Sequence, residues 1–142
     1  MKLTSSYPVL MSADVPAAAE YYRRNFGFET RFEADWYVSL AHSGFELALL
    51  DPTHETIPAG FRGNPARGVL VNLEVEDVDA VHAELSGRDG VEIVLPLRSE
   101  EFGQRHFIIA GPDGVLVDVI TPIEPGPDFA EQFVATSDES AR

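Results

Sequence analysis

His106, Asp118 and Trp36 are the residues whose types and neighbours best suit contact with a small molecule. His106 follows Arg105 and opens the apolar run Phe107 to Ala110. An imidazole there can move a proton or accept a hydrogen bond, and its ordinary structural role would be a bond that fixes a hairpin. Asp118 alternates with Leu116 and Ile120, so the three share one face of a strand. Trp36 is the only tryptophan and offers a stacking platform for a planar or cationic ligand, with edge cover of a sheet as its plainer role. Tyr37 follows it, and strand alternation predicts that only one of the two faces a cavity. The chain has no cysteine, which excludes disulfides, thiolate nucleophiles and Cys-bound zinc and leaves any metal to His, Asp and Glu. His82 reads as a helix flank, His42 as a turn neighbour and His54 as a loop residue.

These groups are positioned by a unit that occurs twice. PVLMSADVPAAAEYYRRNFGFET, around Asp14, and LVNLEVEDVDAVHAELSGRDGVEI, around Asp77, each run from an apolar strand through an acidic helix start to a glycine that opens a strand. Asp14 to Asp77 and Gly27 to Gly90 are both 63 positions, and a fixed offset of this size signals two copies of one supersecondary unit. Asp14 reads as an N-cap with Pro16 in the first turn, and Gly27 as the C-cap of a helix over 15–25. Tyr21, Tyr22 and Phe26 give that helix a core-facing aromatic stripe. FETRFEA, WYVSLAH and FELALLD read as strands. The second copy repeats the order as GVLVNLEV, a helix from Val78 to about Ser86, VEIVLPLR, RHFIIAG and VLVDVIT, with a Gly111-Pro112-Asp113-Gly114 turn.

The expected organisation is a first β-α-β-β-β module over 1–51, a linker or lid over 52–66, a second module over 67–122 and an acidic tail over 123–142 with an amphipathic turn near Phe129 to Phe133. The fold class is α+β. Ten Lys and Arg against 24 Asp and Glu give a formal charge of −14, a field that disfavours nucleic acid and anionic membranes and gathers cations. No apolar run is long enough for a bilayer and the first ten residues lack a signal-peptide core, so the expected location is the cytoplasm.

Pro8 to Glu29 (PVL…DVPAAAEYY…GFE) and Phe102 to Val119 (FGQRHFIIAGPDGVLVDV) resemble the vicinal oxygen chelate superfamily of glyoxalase I, extradiol dioxygenases and bleomycin-binding resistance proteins. The resemblance covers roughly residues 5 to 123, and its first stretch looks most like the bleomycin-resistance, antibiotic-binding branch. It implies half-open sheets around a cavity and pairing into a homodimer. Metal-using members take ligands from inward positions on the first and last strand of each module, and the matching positions here are Tyr7, Leu70, Ala48 and Asp118. Two of these have no donor atom and a phenol is a poor ligand, so no metal and no other cofactor is expected. A two-residue slip would bring in Glu46 beside Asp118, with His106 as a third donor, which keeps a divalent metal as the alternative.

The expected ligand contacts are Tyr7, Trp36, Glu46, Asn72, Phe102, His106 and Asp118, a mixed and acidic lining with Phe61 or Phe102 as a lid and Glu100 and Glu101 at the mouth. Buried carboxylates at Asp118 and Glu46 would need a cationic partner, either Arg105 or the ligand. The favoured reading is a metal-free binding protein that sequesters a small cationic or aromatic metabolite or antibiotic. The alternative is a lyase, isomerase or dioxygenase that uses a divalent metal, or His106, Asp118 or Glu46 as general base with Tyr7 as proton donor.

Overall fold

The computed structural model describes residues 1–134, so the end of the expected acidic tail lies outside the described residues. The described chain forms two compact units, Met1–Val69 with Gly111–Val115, and Leu70–Ala110 with the chain from Leu116.

In the first unit β1 (Val9–Met11) leads into α1 (Val15–Phe26), followed by β2 (Glu29–Glu33), β3 (Tyr37–His42) and β4 (Phe45–Leu50). The sheet order is β1-β4-β3-β2, with β1 parallel to β4 and the other pairs antiparallel. Helix α1 starts where the Asp14 side chain accepts from the Ala17 N–H at 3.1 Å, a cap worth about 1 kcal/mol. It ends at Gly27, whose φ of 72° is the left-handed conformation that lets its N–H reach the Arg23 and Tyr22 carbonyls. Leu10, Val38, Leu40, Leu47 and Leu49 alternate along the strands and are buried with Val15, Ala18, Ala19 and Tyr22 of α1, which packs on β3 and β4. The period-2 and period-3.6 stripes of the sequence therefore meet in one core. Of the expected aromatic stripe, Tyr22 is fully buried whereas Tyr21 and Phe26 are half-buried. Asp113, in the left-handed region at φ 61°, accepts from the Ser12 hydroxyl at 2.6 Å and the Ala13 N–H at 3.0 Å.

The second unit repeats the pattern with β5 (Leu70–Glu74), α2 (Val78–Leu85), β6 (Glu92–Glu100), β7 (Gln104–Ala110) and β8 (Leu116–Pro122), in the order β5-β8-β7-β6. Asp77 caps α2 as Asp14 caps α1, accepting from the Ala80 N–H at 3.1 Å. The repeat extends to register: Val9 pairs with Ala48 and Asn72 with Asp118, equivalent rungs of the two parallel pairs. Phe107, Ile109, Val117 and Val119 are fully buried, and the Phe107 ring meets His82 of α2 edge-on at 5.0 Å. His82, expected at the flank, is half-buried there, while Val78 and Leu85 are the buried residues of α2. Strand β6 lies at the sheet edge and shifts register on either side of Leu95; Pro96, which has no N–H to donate, is tolerated at such a place. A short helix α3 (Pro127–Ala130) carries Phe129, while Phe133 lies beyond it. Among the described residues no helix is long and apolar enough to cross a membrane.

Candidate functional sites, one in each unit

In the first unit, Val9, Phe32, Trp36, Tyr37, Leu50 and Thr56 line a pocket of about 500 Å³ that is wide open to solvent. Trp36 and Tyr37 both line it, against the expectation that only one would. Trp36 lies in the bend just before β3 begins at Tyr37, its carbonyl accepting from the Asp51 N–H at 2.8 Å as the β3–β4 register continues. Past β4, the Asp51 carboxylate accepts from the Thr53 N–H at 2.8 Å and the Thr53 hydroxyl at 2.7 Å, and these bonds hold its pKa below the usual carboxylate range. The turn they close brings the His54 ring parallel to Trp36, with centroids 3.8 Å apart at 6°. His54 Nδ1 lies 2.9 Å from the Thr56 hydroxyl, and Ile57 is buried. The expected linker is therefore folded against this unit and contributes a wall. Burial raises the pKa of Tyr37, helped by the adjacent Tyr7 phenol and by Glu46.

None of these six wall residues is acidic. Glu46 is exposed near the start of β4, opposite Ala41, whereas the apolar residues at the other end of β4 and on β1 and β2 form the walls. Tyr7 precedes β1 and is exposed, and Phe61 is exposed in a single 3-10 turn, Ala59–Phe61. Neither Tyr7 nor Glu46 is a wall residue. His54, Thr56 and Phe32 were not anticipated from the sequence. The Asp51 to Thr53 spacing is a turn signal that could have placed the loop against the sheet.

The second unit gathers His106, Asp118, Glu100 and Phe102. Strand pairing sets His106 beside Ile120 and Asp118 beside Ile108, on the face opposite the Phe107 row. His106 and Asp118 are each only 5% exposed, and His106 Nδ1 lies 2.8 Å from Asp118 Oδ1. With Asp118 ionised, Nδ1–H donates and Nε2 of a neutral ring is left as the acceptor. That Nε2 is buried without a hydrogen-bond partner. Glu100 Oε1 is 3.8 Å from it, too far for a hydrogen bond, and is held by Arg98. Phe102 stands edge-on to the imidazole at 6.2 Å and to Phe129 at 6.4 Å. Asn72, the rung partner of Asp118, is exposed. Arg105 does not serve Asp118: it donates to both oxygens of Asp79 at 2.9 and 2.8 Å, a bond that lowers the Asp79 pKa and raises its own. Strand alternation explains this, since Arg105 and His106 are neighbours and face opposite sides.

The family's metal does not fit these residues. Of its four positions, Leu70 and Ala48 have no donor atom, and the Asp118 carboxylate is engaged by His106. Among the described residues no group of three or more His, Asp or Glu side chains is placed to hold an ion.

Similar structures share this architecture. A glyoxalase/bleomycin resistance protein/dioxygenase from Nocardioides superposes with a TM-score of 0.72 at 22% identity, over 89% of this chain and 87% of its own. The bleomycin-binding protein of bleomycin-producing Streptomyces verticillus, in complex with copper(II)-bleomycin, gives 0.63 at 25% identity over 87% and 99%. A lactoylglutathione lyase from Agrobacterium tumefaciens gives 0.68 at 19% identity over 85% and 96%. No curated protein sequence matches the chain. The sequence profile of the Glyoxalase/Bleomycin resistance protein/Dioxygenase superfamily matches residues 5–119, and the chain belongs to that superfamily.

Proposed function

We propose that this protein binds and sequesters, in the cytoplasm and without a metal, a small planar and preferably cationic molecule of the kind found among aromatic antibiotics. The observation that carries the reading is the open, aromatic-walled pocket of about 500 Å³ beside Trp36, a size within the range of small-molecule sites. An aromatic wall stacks planar ligands and attracts cations through the ring quadrupole. The net charge of −14 favours the cation further. The likeness to a bleomycin-binding protein at 25% identity supports binding as the activity. Pairing of two copies belongs to the same reading, and sedimentation of the purified protein at twice 15.6 kDa would support it; a monomer at all concentrations would remove it.

Because Trp36 is the only tryptophan, its fluorescence reports the cavity directly. Titration with proflavine, a planar cation, and with bleomycin, metal-free and copper-loaded, is expected to give saturable quenching by at least one of them. Calorimetry on Trp36→Ala should then show a loss of about tenfold or more, the scale of one stacked ring. Absence of saturable binding by all three, or unchanged affinity in Trp36→Ala, sinks the reading.

A further inference from the structure

We infer that His106 Nε2 is a ligand-binding atom, the acceptor for a hydroxyl or other neutral or cationic hydrogen-bond donor on a small molecule bound in the second unit. The inference stands apart from the Trp36 cavity and does not depend on it. A buried polar atom without a partner is rare in folded proteins and costs roughly 1–3 kcal/mol. His106 Nε2 is such an atom, on a side chain fixed from its other end by Asp118 at 2.8 Å. Any imidazole bonded to Asp118 through Nδ1 carries its Nε2 at this place, so what points to a ligand is that this nitrogen is buried with no partner of its own. With the ring neutral and Asp118 ionised, the Nδ1 bond orients Nε2 as a bare acceptor for a ligand's donor.

The surroundings select the ligand's charge. Asp118 and Glu100 lie within 2.8 and 3.8 Å of the ring nitrogens, and only Glu100 has a further cation, Arg98, against it. A carboxylate or phosphate would be repelled here, whereas a phenol, alcohol or ammonium would be accepted. Phe102, 40% exposed and 6.2 Å from the imidazole, is the aromatic neighbour against which a ring on the ligand would pack. Asp118, the one donor-bearing carboxylate among the family's metal positions, here orients an imidazole, so Nε2 takes over the task of contacting the ligand.

The test uses matched probes on the whole 142-residue chain: 2-naphthol, its methyl ether 2-methoxynaphthalene, and anionic 2-naphthoate. 2-Naphthol is expected to bind at least about tenfold more tightly than the other two, because a site built for a donor rejects the analogue lacking it. It should also move the ¹⁵N resonance of His106 Nε2. In the double variant His106→Phe/Asp118→Leu, which removes both buried partners together, the preference for naphthol over its ether should fall below about twofold. Equal affinities of naphthol and ether for the wild-type protein, or an unmoved Nε2 resonance at saturating naphthol, would overturn the inference, and neither readout requires the variant to fold. Trp36 fluorescence in the same titrations reports the first cavity separately.

Discussion

Two buried side-chain atoms among the described residues lack a hydrogen-bond partner, His106 Nε2 and the Tyr21 hydroxyl, and the two differ in what holds them. The imidazole is oriented by a carboxylate, whereas Tyr21 packs edge-on against Tyr22 and Phe26 at 5.4 and 5.9 Å, an environment that needs only its ring. Burial pushes the Tyr21 pKa up from 10.0 to about 12; it also raises that of Tyr22, with smaller contributions from Tyr21 and Asp113. A phenol whose pKa is raised on folding contributes stability that is fully present below the unfolded value near 10 and lost as pH rises through the folded value. Urea midpoints should therefore hold steady up to about pH 10 and fall between there and about pH 12. Tyr21→Phe should reduce that alkaline slope. Below pH 10 it should cost less than about 1 kcal/mol, since the hydroxyl it removes is unpaired. A larger loss at neutral pH would mean that the hydroxyl has a partner in solution.

At the scale of elements, the two modules were legible because their punctuation is local. Asp14 and Asp77 cap helices through their own side chains, and Gly27 supplies a left-handed φ; each of these acts within about four residues, so sequence spacing reports it. The apolar runs FELALL and VLVDVI likewise read as strands, although each is buried over consecutive residues and not in alternation. What escaped was decided by turns and by partners distant in sequence. Trp36 was read as a strand residue, yet it lies in the bend just before β3. His54 was read as a loop residue, yet its ring lies flat on Trp36. The choice of Asp79 over Asp118 as Arg105's partner followed from alternation, which the sequence did contain, but the identity of the acid depended on where the start of α2 meets β7. His106 and Asp118 were both named as candidates; that they bond to each other required the antiparallel register of β7 and β8, which no spacing within either strand reveals.

At the scale of the whole molecule, the charge of −14 and the apolar walls around Trp36 make separable contributions to binding. The walls act at contact range and are insensitive to salt. The charge acts through a field that reaches about 30 Å at 0.01 M ionic strength but only about 8 Å at 0.15 M. None of the six wall residues is acidic, so any preference for a cation must come from charges beyond the cavity. These are the interactions that salt screens most completely. Proflavine and the neutral ether 2-methoxynaphthalene, each followed by quenching of Trp36, should therefore part company as salt is raised over this range: the cation's affinity should fall several-fold while that of the ether stays within about twofold. Titrations at the two ionic strengths decide it. A parallel decline for both probes would implicate salt effects on the protein itself. Constant affinity for both would show that the acidity serves solubility alone and that the first cavity selects its ligand by shape and stacking, without regard to charge.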